Sequence, residues 1–246
     1  MIVPIRHQHS NMASLSVTWF SSDSEEAYLQ NMQNAKRKDI IESNGWNESN
    51  VSYTFNSHGF RADEFDGSDA IMFLGCSITL GTGVPDNISW ARIVSKHFGL
   101  KNYNLGISGG SNDTAFRLAN HYVPQLRPRL VVFMGTSAHR FDIIDDCQIT
   151  TLMYNYTPEP HDTNWYKDWL LNPENGNLNW QKNWRGIQYI CKKNKVPFAY
   201  ISASPLLNAP FASNGRDIVH PGKSFNLEHA NVVINQIEPI LKAHKL

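Results

Sequence analysis

The stretch GCSITLGTG at residues 75–83 follows an apolar run and places Ser77 at a small, glycine-flanked corner. A serine at the carboxyl end of a buried strand can act as a nucleophile, with its hydroxyl in a crevice and its backbone N–H near a developing oxyanion. The phosphate-binding loops fit poorly, because the GxGxxG spacing is absent and no Lys follows the second Gly. A serine that only caps a short helix fits at least as well, so the stretch alone leaves both interpretations open.

A serine nucleophile needs a base, and the stretch GRDIVHPGKS at residues 215–224 offers Asp217 and His220 three positions apart. On a tight turn this spacing puts both side chains on one side. Asp217 can then accept a hydrogen bond from one imidazole nitrogen while the other nitrogen faces Ser77. The alternative is a solvent-facing histidine with Asp217 capping the last helix. The position of the stretch, after the last predicted strand and before the last predicted helix, favours the catalytic interpretation.

Two adjacent glycines, Gly109 and Gly110, lie in the stretch NLGISGGSNDT at residues 104–114. Glycine lets backbone amides approach a ligand closely, and amides at the start of a helix bind anions well. The same residues also suit a flexible turn before a helix that Ser111 or Asn112 caps. The two interpretations are compatible with each other.

Short apolar runs alternate with helical patterns and predict the strands of an α/β domain. These runs are residues 69–75, 102–107, 129–135 and 196–202. The alternation predicts a three-layer α/β/α arrangement with a mostly parallel, flavodoxin-like sheet of about five strands. Ligands of such sheets bind beyond the carboxyl ends of the strands, which brings the loops of Ser77, Gly109 and His220 to one crevice.

The chain outside these runs predicts an N-terminal extension, residues 1–66, and an α/β domain, residues 67–246, with an inserted aromatic-rich cap at residues 139–178. The extension contains one predicted helix around residues 23–42. In the helix after the cap, apolar side chains at steps of three and four residues predict a core-facing stripe. The members of this stripe are Trp180, Trp184, Ile187 and Cys191. Pro239 is expected to kink or end the last helix.

The composition narrows the classes of partner. The chain has 246 residues, 41% hydrophobic content and zero formal net charge, so it can bury a core and carries no strongly basic surface for nucleic acid. No apolar run reaches membrane-spanning length, and no signal peptide is recognisable. The three cysteines lack CxxC spacing, and His7, His9 and His58 lack partners at metal-binding spacing. We therefore expect a cytoplasmic protein with reduced thiols and no metal, and neither nucleic acid nor a membrane as its partner.

Together, these motifs resemble those of the SGNH hydrolase superfamily, the GDSL-like lipases and esterases. FLGCSITLGTGV resembles the first block of the family, with Cys76 where an Asp is usual, NLGISGGS resembles the second block, and DIVHPG resembles the last. The resemblance covers roughly residues 69–242. It implies a nucleophile, an oxyanion-hole glycine, an acid and a base at Ser77, Gly109, Asp217 and His220, respectively.

The third block of the family departs from this pattern. Members carry a GxND-like stretch after the third strand, whose Asn donates to the oxyanion, whereas VFMGTSAHRF places Ser137 at that point. Ser137 can donate one hydrogen bond over a shorter reach, and Asn112, Thr136 or His139 are candidate substitutes. Loss of one such donor costs on the order of a hundredfold in rate.

The sequence therefore predicts a serine esterase that hydrolyses a small acyl ester, such as an O-acetyl group on a carbohydrate, through a Ser77–His220–Asp217 triad and an acyl-enzyme, with no cofactor. The backbone amides of Ser77 and Gly109, with Ser137, form the expected oxyanion hole. The candidate substrate-binding residues are Asn112, His139, Trp165 and Trp169. Aromatic faces such as those of the two tryptophans suit sugar rings. Two alternatives stay open: a glycan-binding module with weakened chemistry, and an O-acyltransferase in which an acceptor hydroxyl replaces water.

Overall fold

The N-terminal region contains a small antiparallel sheet and two helices. The computed structural model describes residues 2–145, 148–152, 172–202 and 213–244. The N-terminal elements are β1 (Ser16–Val17), α1 (Glu25–Gln33), α2 (Ala35–Ser43) and β2 (Tyr53–Thr54), with β1 paired to β2. The single helix predicted here is wrong, because Asn34 divides it. The Asn34 backbone N–H donates to the Asn31 carbonyl at the end of α1, while its side chain accepts from the Arg37 N–H and caps α2.

The central sheet contains four parallel strands within the described part of the chain. The strands that follow β2 in the chain are β3 (Ala70–Leu74), β4 (Lys101–Asn104), β5 (Leu130–Met134), β6 (Phe141–Asp145), β7 (Gln148–Leu152) and β8 (Phe198–Ile201). The sheet has the order β4-β3-β5-β8, and β6 and β7 form a separate antiparallel hairpin. Because β4 lies on one side of β3 and β5 on the other, the carboxyl ends of these strands are where sheets of this class bind ligands. The predicted α/β class with a parallel sheet is confirmed.

Helices cover both faces of the sheet, because alternate residues of a strand point to opposite faces. The helices that follow β3 are α3 (Ser77–Leu80), α4 (Trp90–His97), α5 (Asn112–Leu126), α6 (Pro173–Lys193) and α7 (Lys223–Ala243). On β3, Ile71 and Phe73 pack in the core layer formed with α4 and α7. Met72 and Leu74 pack in the opposite layer, formed with α5 and α6. The predicted three-layer arrangement follows from this alternation.

The predicted cap, residues 139–178, contains regular structure. Its described residues form the β6–β7 hairpin and the first turn of α6, which begins at Pro173. The hairpin is joined to α5 because Asp142 accepts hydrogen bonds from the hydroxyls of Ser111 and Thr114, each at 2.7 Å. The predicted cap residues Trp165 and Trp169 lie outside the described residues, and the predicted domain boundaries stay predictions.

The apolar stripe predicted on α6 is confirmed. Ile187 and Cys191 are buried in the core layer between this helix, α5 and the sheet. Trp180 and Trp184 are half-buried, and their rings stack with 5.8 Å between centroids. These two tryptophans therefore contribute to packing.

The last helix does not end at Pro239. α7 continues through this residue to Ala243, and its buried face includes Ile237 and Leu241. Pro239 lacks the N–H that would bind the Asn235 carbonyl. Both residues are exposed, so water can satisfy that carbonyl while the buried face holds the helix together.

No helix in the described ranges is long and apolar enough to cross a membrane.

Candidate active site

Ser77 lies where the sequence predicts it, at the corner after the first central strand. It is the first residue of α3, directly after β3, and only 7% of its surface is exposed. Gly75 is required at this corner, because a Cβ there would collide with the Thr79 side chain and lie 3.0 Å from the Met134 carbonyl oxygen. Cys76 is buried as a free thiol. The tight corner thus holds the serine at the carboxyl edge of the sheet.

Asp217 and His220 lie on one tight turn before α7. The Gly215 N–H donates to the His220 carbonyl at 2.8 Å, and the Ile218 N–H donates to the Gly215 carbonyl at 2.9 Å. Asp217 itself closes the turn, because its Oδ1 accepts hydrogen bonds from the N–H groups of Val219 and His220. Ile218 adopts a left-handed φ of 56°, which is unfavourable for a β-branched residue. The turn leaves the two functional side chains on the same side.

The three side chains form one hydrogen-bonded chain. Asp217 Oδ2 lies 2.6 Å from His220 Nδ1, and His220 Nε2 lies 2.7 Å from Ser77 Oγ. An ionised carboxylate can only accept, so Nδ1 carries the proton, and Nε2 is left to accept the proton of the serine hydroxyl. The Asp217 side chain is fully buried, whereas the His220 side chain is 15% exposed. The imidazole is therefore partly accessible to solvent, whereas the acid is not.

The surroundings of Asp217 keep its carboxylate charged. Burial alone would raise the pKa of Asp217, but the hydrogen bonds and the charge of His220, together with a hydrogen bond from the Ser22 hydroxyl, lower that pKa below its ordinary value. A charged carboxylate fixes the tautomer of His220 and stabilises the imidazolium that forms when the histidine takes up a proton.

The loop after β4 brings Gly109 to the same edge of the sheet. The Ile107 N–H donates to the Gly75 carbonyl at 3.1 Å, which joins this loop to the corner of Ser77. Gly109 has a left-handed φ of 70°, a conformation that favours glycine. Within the described residues, no hydrogen bond uses the backbone N–H of Ser77 or of Gly109. The role of these two N–H groups as oxyanion donors stays a prediction.

The loop after β5 contains the remaining predicted residues that the structure describes. Asn112 Oδ1 accepts from the Thr136 N–H at 3.0 Å, and Asn112 Nδ2 donates to the Thr136 and Ser137 carbonyls. The amide of Asn112 thus positions this loop, and these hydrogen bonds lend no support to its predicted contact with substrate. Ser137 is exposed, and its Oγ accepts from the N–H of the half-buried His139 at 3.4 Å. The roles of Ser137 and His139 stay predictions.

Two residues of the N-terminal region reach the site, and sequence reasoning gave no sign of them. Ser22 Oγ donates to Asp217 Oδ2 at 2.8 Å. The next residue, Asp23, forms a buried ion pair with Arg216 at 2.8 Å. The run SSDSEE around these residues has the pattern of a helix N-cap, and Ser24 does cap α1. The N-cap of α1 accounts for this run of residues, so the run itself does not indicate any contact with distant residues.

The arrangement can activate a serine hydroxyl for attack on an acyl carbon. A serine paired with a histidine base, which a buried carboxylate orients in turn, is the pattern of nucleophilic catalysis in acyl transfer. Across the parts of the chain that the structure describes, no group of three His, Cys, Asp or Glu side chains is arranged to hold a metal ion.

Solved structures that match this chain at low identity include esterases and lipases. A GDSL-like lipase from Bacteroides thetaiotaomicron is 17% identical, and the match covers 72% of this chain and 89% of the lipase, with a TM-score of 0.33. A family 3 carbohydrate esterase from Clostridium thermocellum is 13% identical, with 71% and 98% covered and a TM-score of 0.40. An acetylxylan esterase from Geobacillus stearothermophilus is 13% identical, with 69% and 94% covered and a TM-score of 0.38. No protein-family model and no curated protein matches the chain.

Proposed function

We propose that this chain is a serine esterase that hydrolyses a small acyl ester, and that it is a divergent SGNH hydrolase. The observation that carries the proposal is the hydrogen-bonded chain from Ser77 Oγ through His220 to Asp217 Oδ2, with distances of 2.7 and 2.6 Å. The order of the motifs supports it, because the serine follows the first central strand and the Asp-x-x-His turn precedes the last helix. This is the order that the resemblance to the superfamily implies.

The first half of the reaction forms an acyl-serine. His220 Nε2 takes the hydroxyl proton as Ser77 Oγ attacks the ester carbonyl carbon, and negative charge develops on the carbonyl oxygen. The N–H groups of Ser77 and Gly109, with the Ser137 hydroxyl as a further donor, stabilise that charge. His220 then donates the proton to the alcohol oxygen. The carbon–oxygen bond breaks, and the alcohol leaves.

The second half of the reaction releases the acid. His220 Nε2 takes a proton from water as the water oxygen attacks the acyl carbon, and it returns a proton to Ser77 Oγ as the carboxylic acid departs. Throughout, the negative charge of Asp217 stabilises the imidazolium form of His220. One ester and one water are consumed for each acid and alcohol formed, so the cycle balances without a cofactor.

The side chains near the triad support a polar alcohol portion in the substrate. Ser21, Ser22 and Ser137 are exposed. The Ser22 hydroxyl donates its hydrogen to Asp217, but its lone pairs can still accept a hydrogen bond from a sugar hydroxyl. Val219, next to His220, adds one exposed apolar side chain. We therefore propose an O-acetyl group on a carbohydrate as the substrate class.

Turnover of p-nitrophenyl acetate by Ser77→Ala tests the nucleophile. We expect kcat/KM to fall by at least about a thousandfold with an unchanged Tm, because removal of the nucleophile disables the whole triad. Cys76→Ala is the matched control, since it removes the neighbouring buried thiol and should leave most of the activity. Equal rates for Ser77→Ala and the wild type would refute the assignment, and loss only in Cys76→Ala would point to the thiol.

Acetate release from acetylated xylo-oligosaccharides, compared with hydrolysis of p-nitrophenyl butyrate and octanoate, tests the substrate class. We expect release of acetate from the sugar and falling rates as the acyl chain lengthens. Glycan binding that survives Ser77→Ala, without any ester turnover, would instead indicate a binding module. Acyl transfer to added sugars that outpaces hydrolysis would indicate an O-acyltransferase.

A further inference from the structure

Asp217 receives a hydrogen bond from the N-terminal region. Ser22 Oγ donates to Asp217 Oδ2 at 2.8 Å, and the same oxygen lies 2.6 Å from His220 Nδ1. The other oxygen, Oδ1, accepts the N–H groups of Val219 and His220. Among the described residues, Ser22 is thus the one donor to this carboxylate that lies outside the Asp-x-x-His turn. It binds the oxygen that orients the imidazole.

The residues on either side fix the position of Ser22. Asp23 Oδ1 and Oδ2 accept from Arg216 Nε and Nη2 at 2.9 and 2.8 Å, and Arg216 directly precedes the acid of the proposed triad. Ser21 Oγ lies 2.5 Å from Ser108 Oγ, beside the proposed oxyanion-hole glycine. The segment 21–23 therefore contacts both the loop of the acid and the loop of the oxyanion donor.

A buried tyrosine joins this segment to the loop after Ser77. The Tyr53 hydroxyl donates to Asp23 Oδ2 at 2.6 Å and accepts from the Gly83 N–H at 2.8 Å. Burial and the charge of Asp23 raise the pKa of Tyr53, so the group stays a hydroxyl and keeps donating. Through Tyr53, the segment 21–23 is also connected to the loop that follows α3 and contains Gly83.

We propose that Ser22 is a positioning residue of the active site, and that the segment 21–23 belongs to the catalytic unit. This inference rests on the proposed function. By holding Oδ2, the Ser22 hydroxyl keeps the Asp217 carboxylate in the orientation that directs His220 Nε2 at Ser77. By donating to a charged oxygen, it also favours the carboxylate over the acid, and hence the His220 tautomer with its proton on Nδ1.

The position of Ser22 allows a clean set of variants. Ser22 is exposed and does not have a positive φ, so a β-branched residue fits there without burial or backbone strain. Ser22→Ala and Ser22→Val remove the hydroxyl, and Ser22→Thr restores it on the same branched frame as Val. Ser24→Ala is the matched control, because it removes a nearby hydroxyl that only caps α1.

Kinetics with p-nitrophenyl acetate give the first readout. We expect Ser22→Ala and Ser22→Val to lower kcat by about 10-fold to 100-fold with KM within about twofold, as loss of a hydrogen bond to a charged group predicts. Ser22→Thr should stay near the wild-type kcat. Ser24→Ala should lower the Tm but leave kcat unchanged. Wild-type kcat in Ser22→Ala, or equal losses in the Thr and Val variants, would overturn the proposal.

A second readout is independent of turnover. The proton on His220 Nδ1 gives a downfield NMR resonance that is identified by its disappearance in His220→Ala. We expect Ser22→Ala and Ser22→Val to shift or broaden this resonance and Ser22→Thr to restore it. An unchanged resonance in Ser22→Ala overturns the positioning role. If the wild type hydrolyses no ester while the resonance responds as expected, the esterase proposal fails and the positioning role of Ser22 stands.

Discussion

The central sheet and the N-terminal region bury side chains of opposite character. Every residue of β3 and of β5 is buried and apolar, so the sheet is stabilised by removal of apolar surface from water. The N-terminal region and the loops that it contacts bury charged side chains instead. Arg61 is 1% exposed, Arg216 is 0% exposed, and Asp23 is 1% exposed. Each of these groups must be matched by specific partners, because a buried charge without a partner is costly.

The two arginines use most of their donors on backbone carbonyls around the site. Arg61 donates to the carbonyls of Gly81 and Val84 at 2.7 and 3.0 Å, in the loop that follows α3. Arg216 donates to the Glu48 carbonyl at 2.8 Å and to that of Thr18. Apolar packing tolerates many arrangements of similar volume, whereas these hydrogen bonds specify one. The comparison indicates that apolar packing builds the frame and buried charges fix the loops of the site.

The largest effect on stability that we expect comes from Arg216→Met, which keeps most of the side-chain volume but removes the charge. The free energy of unfolding should fall by about 3–5 kcal/mol, because Asp23 is left buried without its partner. Ester turnover should fall as well, since Arg216 precedes Asp217. Urea unfolding and p-nitrophenyl acetate kinetics measure the two effects.

An exposed ion pair provides the control for this substitution. Arg129 pairs with Asp69 at 2.8 Å, with side-chain exposures of 36% and 62%. Arg129→Met should cost less than about 1 kcal/mol, as exposed pairs do. Similar losses in both variants would contradict the view that burial makes the Arg216 pair important.

Acidification should lower stability through histidines in both regions. Burial lowers the pKa of His9 to about 3 in the N-terminal region and that of His229 to about 4 between α4 and α7. Below the ordinary histidine pKa of about 6.5, the unfolded chain takes up protons that the folded chain does not. The stability that comes from keeping these two rings uncharged is therefore fully present above about pH 6.5, and it decreases as the pH falls towards 4. Each ring contributes a slope of about 1.4 kcal/mol per pH unit.

Phenylalanine substitutions measure separately what the histidine of each region contributes to the pH dependence of unfolding. His229→Phe and His9→Phe should each flatten the pH dependence of unfolding between pH 6 and 4.5. At pH 7, His229→Phe should keep or raise stability, because neither ring nitrogen has a hydrogen-bond partner among the described residues. His9→Phe should lower it, because His9 Nε2 accepts from the Ser108 N–H at 3.2 Å. Equal changes in the free energy of unfolding of the two variants at pH 7 would contradict the expected difference between the two regions.

A small effect on stability is expected from a volume-conserving change in the core. Ile237 on α7 is fully buried, and Ile237→Met should cost less than about 1.5 kcal/mol, because apolar cores accommodate such swaps. Turnover of p-nitrophenyl acetate should stay at the wild-type level. If urea unfolding shows a loss of unfolding free energy comparable to that of Arg216→Met, the apolar core tolerates substitution no better than the buried charged groups do.

The central strands and the local geometry of the candidate site could be predicted from the sequence. The four central strands, the corner of Ser77 and the turn that joins Asp217 to His220 were all predictable. Their physical causes act over a few residues: apolar runs of strand length, a glycine where a side chain would collide, and an Asp three positions before a His. Of the two outcomes expected at Pro239, a kink or an end of the helix, the end did not occur, because a proline in an exposed position leaves the buried face of α7 intact.

The pairing of polar groups that lie far apart in the chain became visible only in the folded structure. Ser22 and Asp217 are 195 positions apart, and Asp23 and Arg216 are 193 apart. The sequence shows that such groups need partners when they are buried, but nothing local indicates which partner folding brings to each. Asn112 illustrates the same point, since the sequence did not indicate that its amide binds the loop after β5. Pairing at a distance depends on how the layers pack, and that packing is a property of the whole fold.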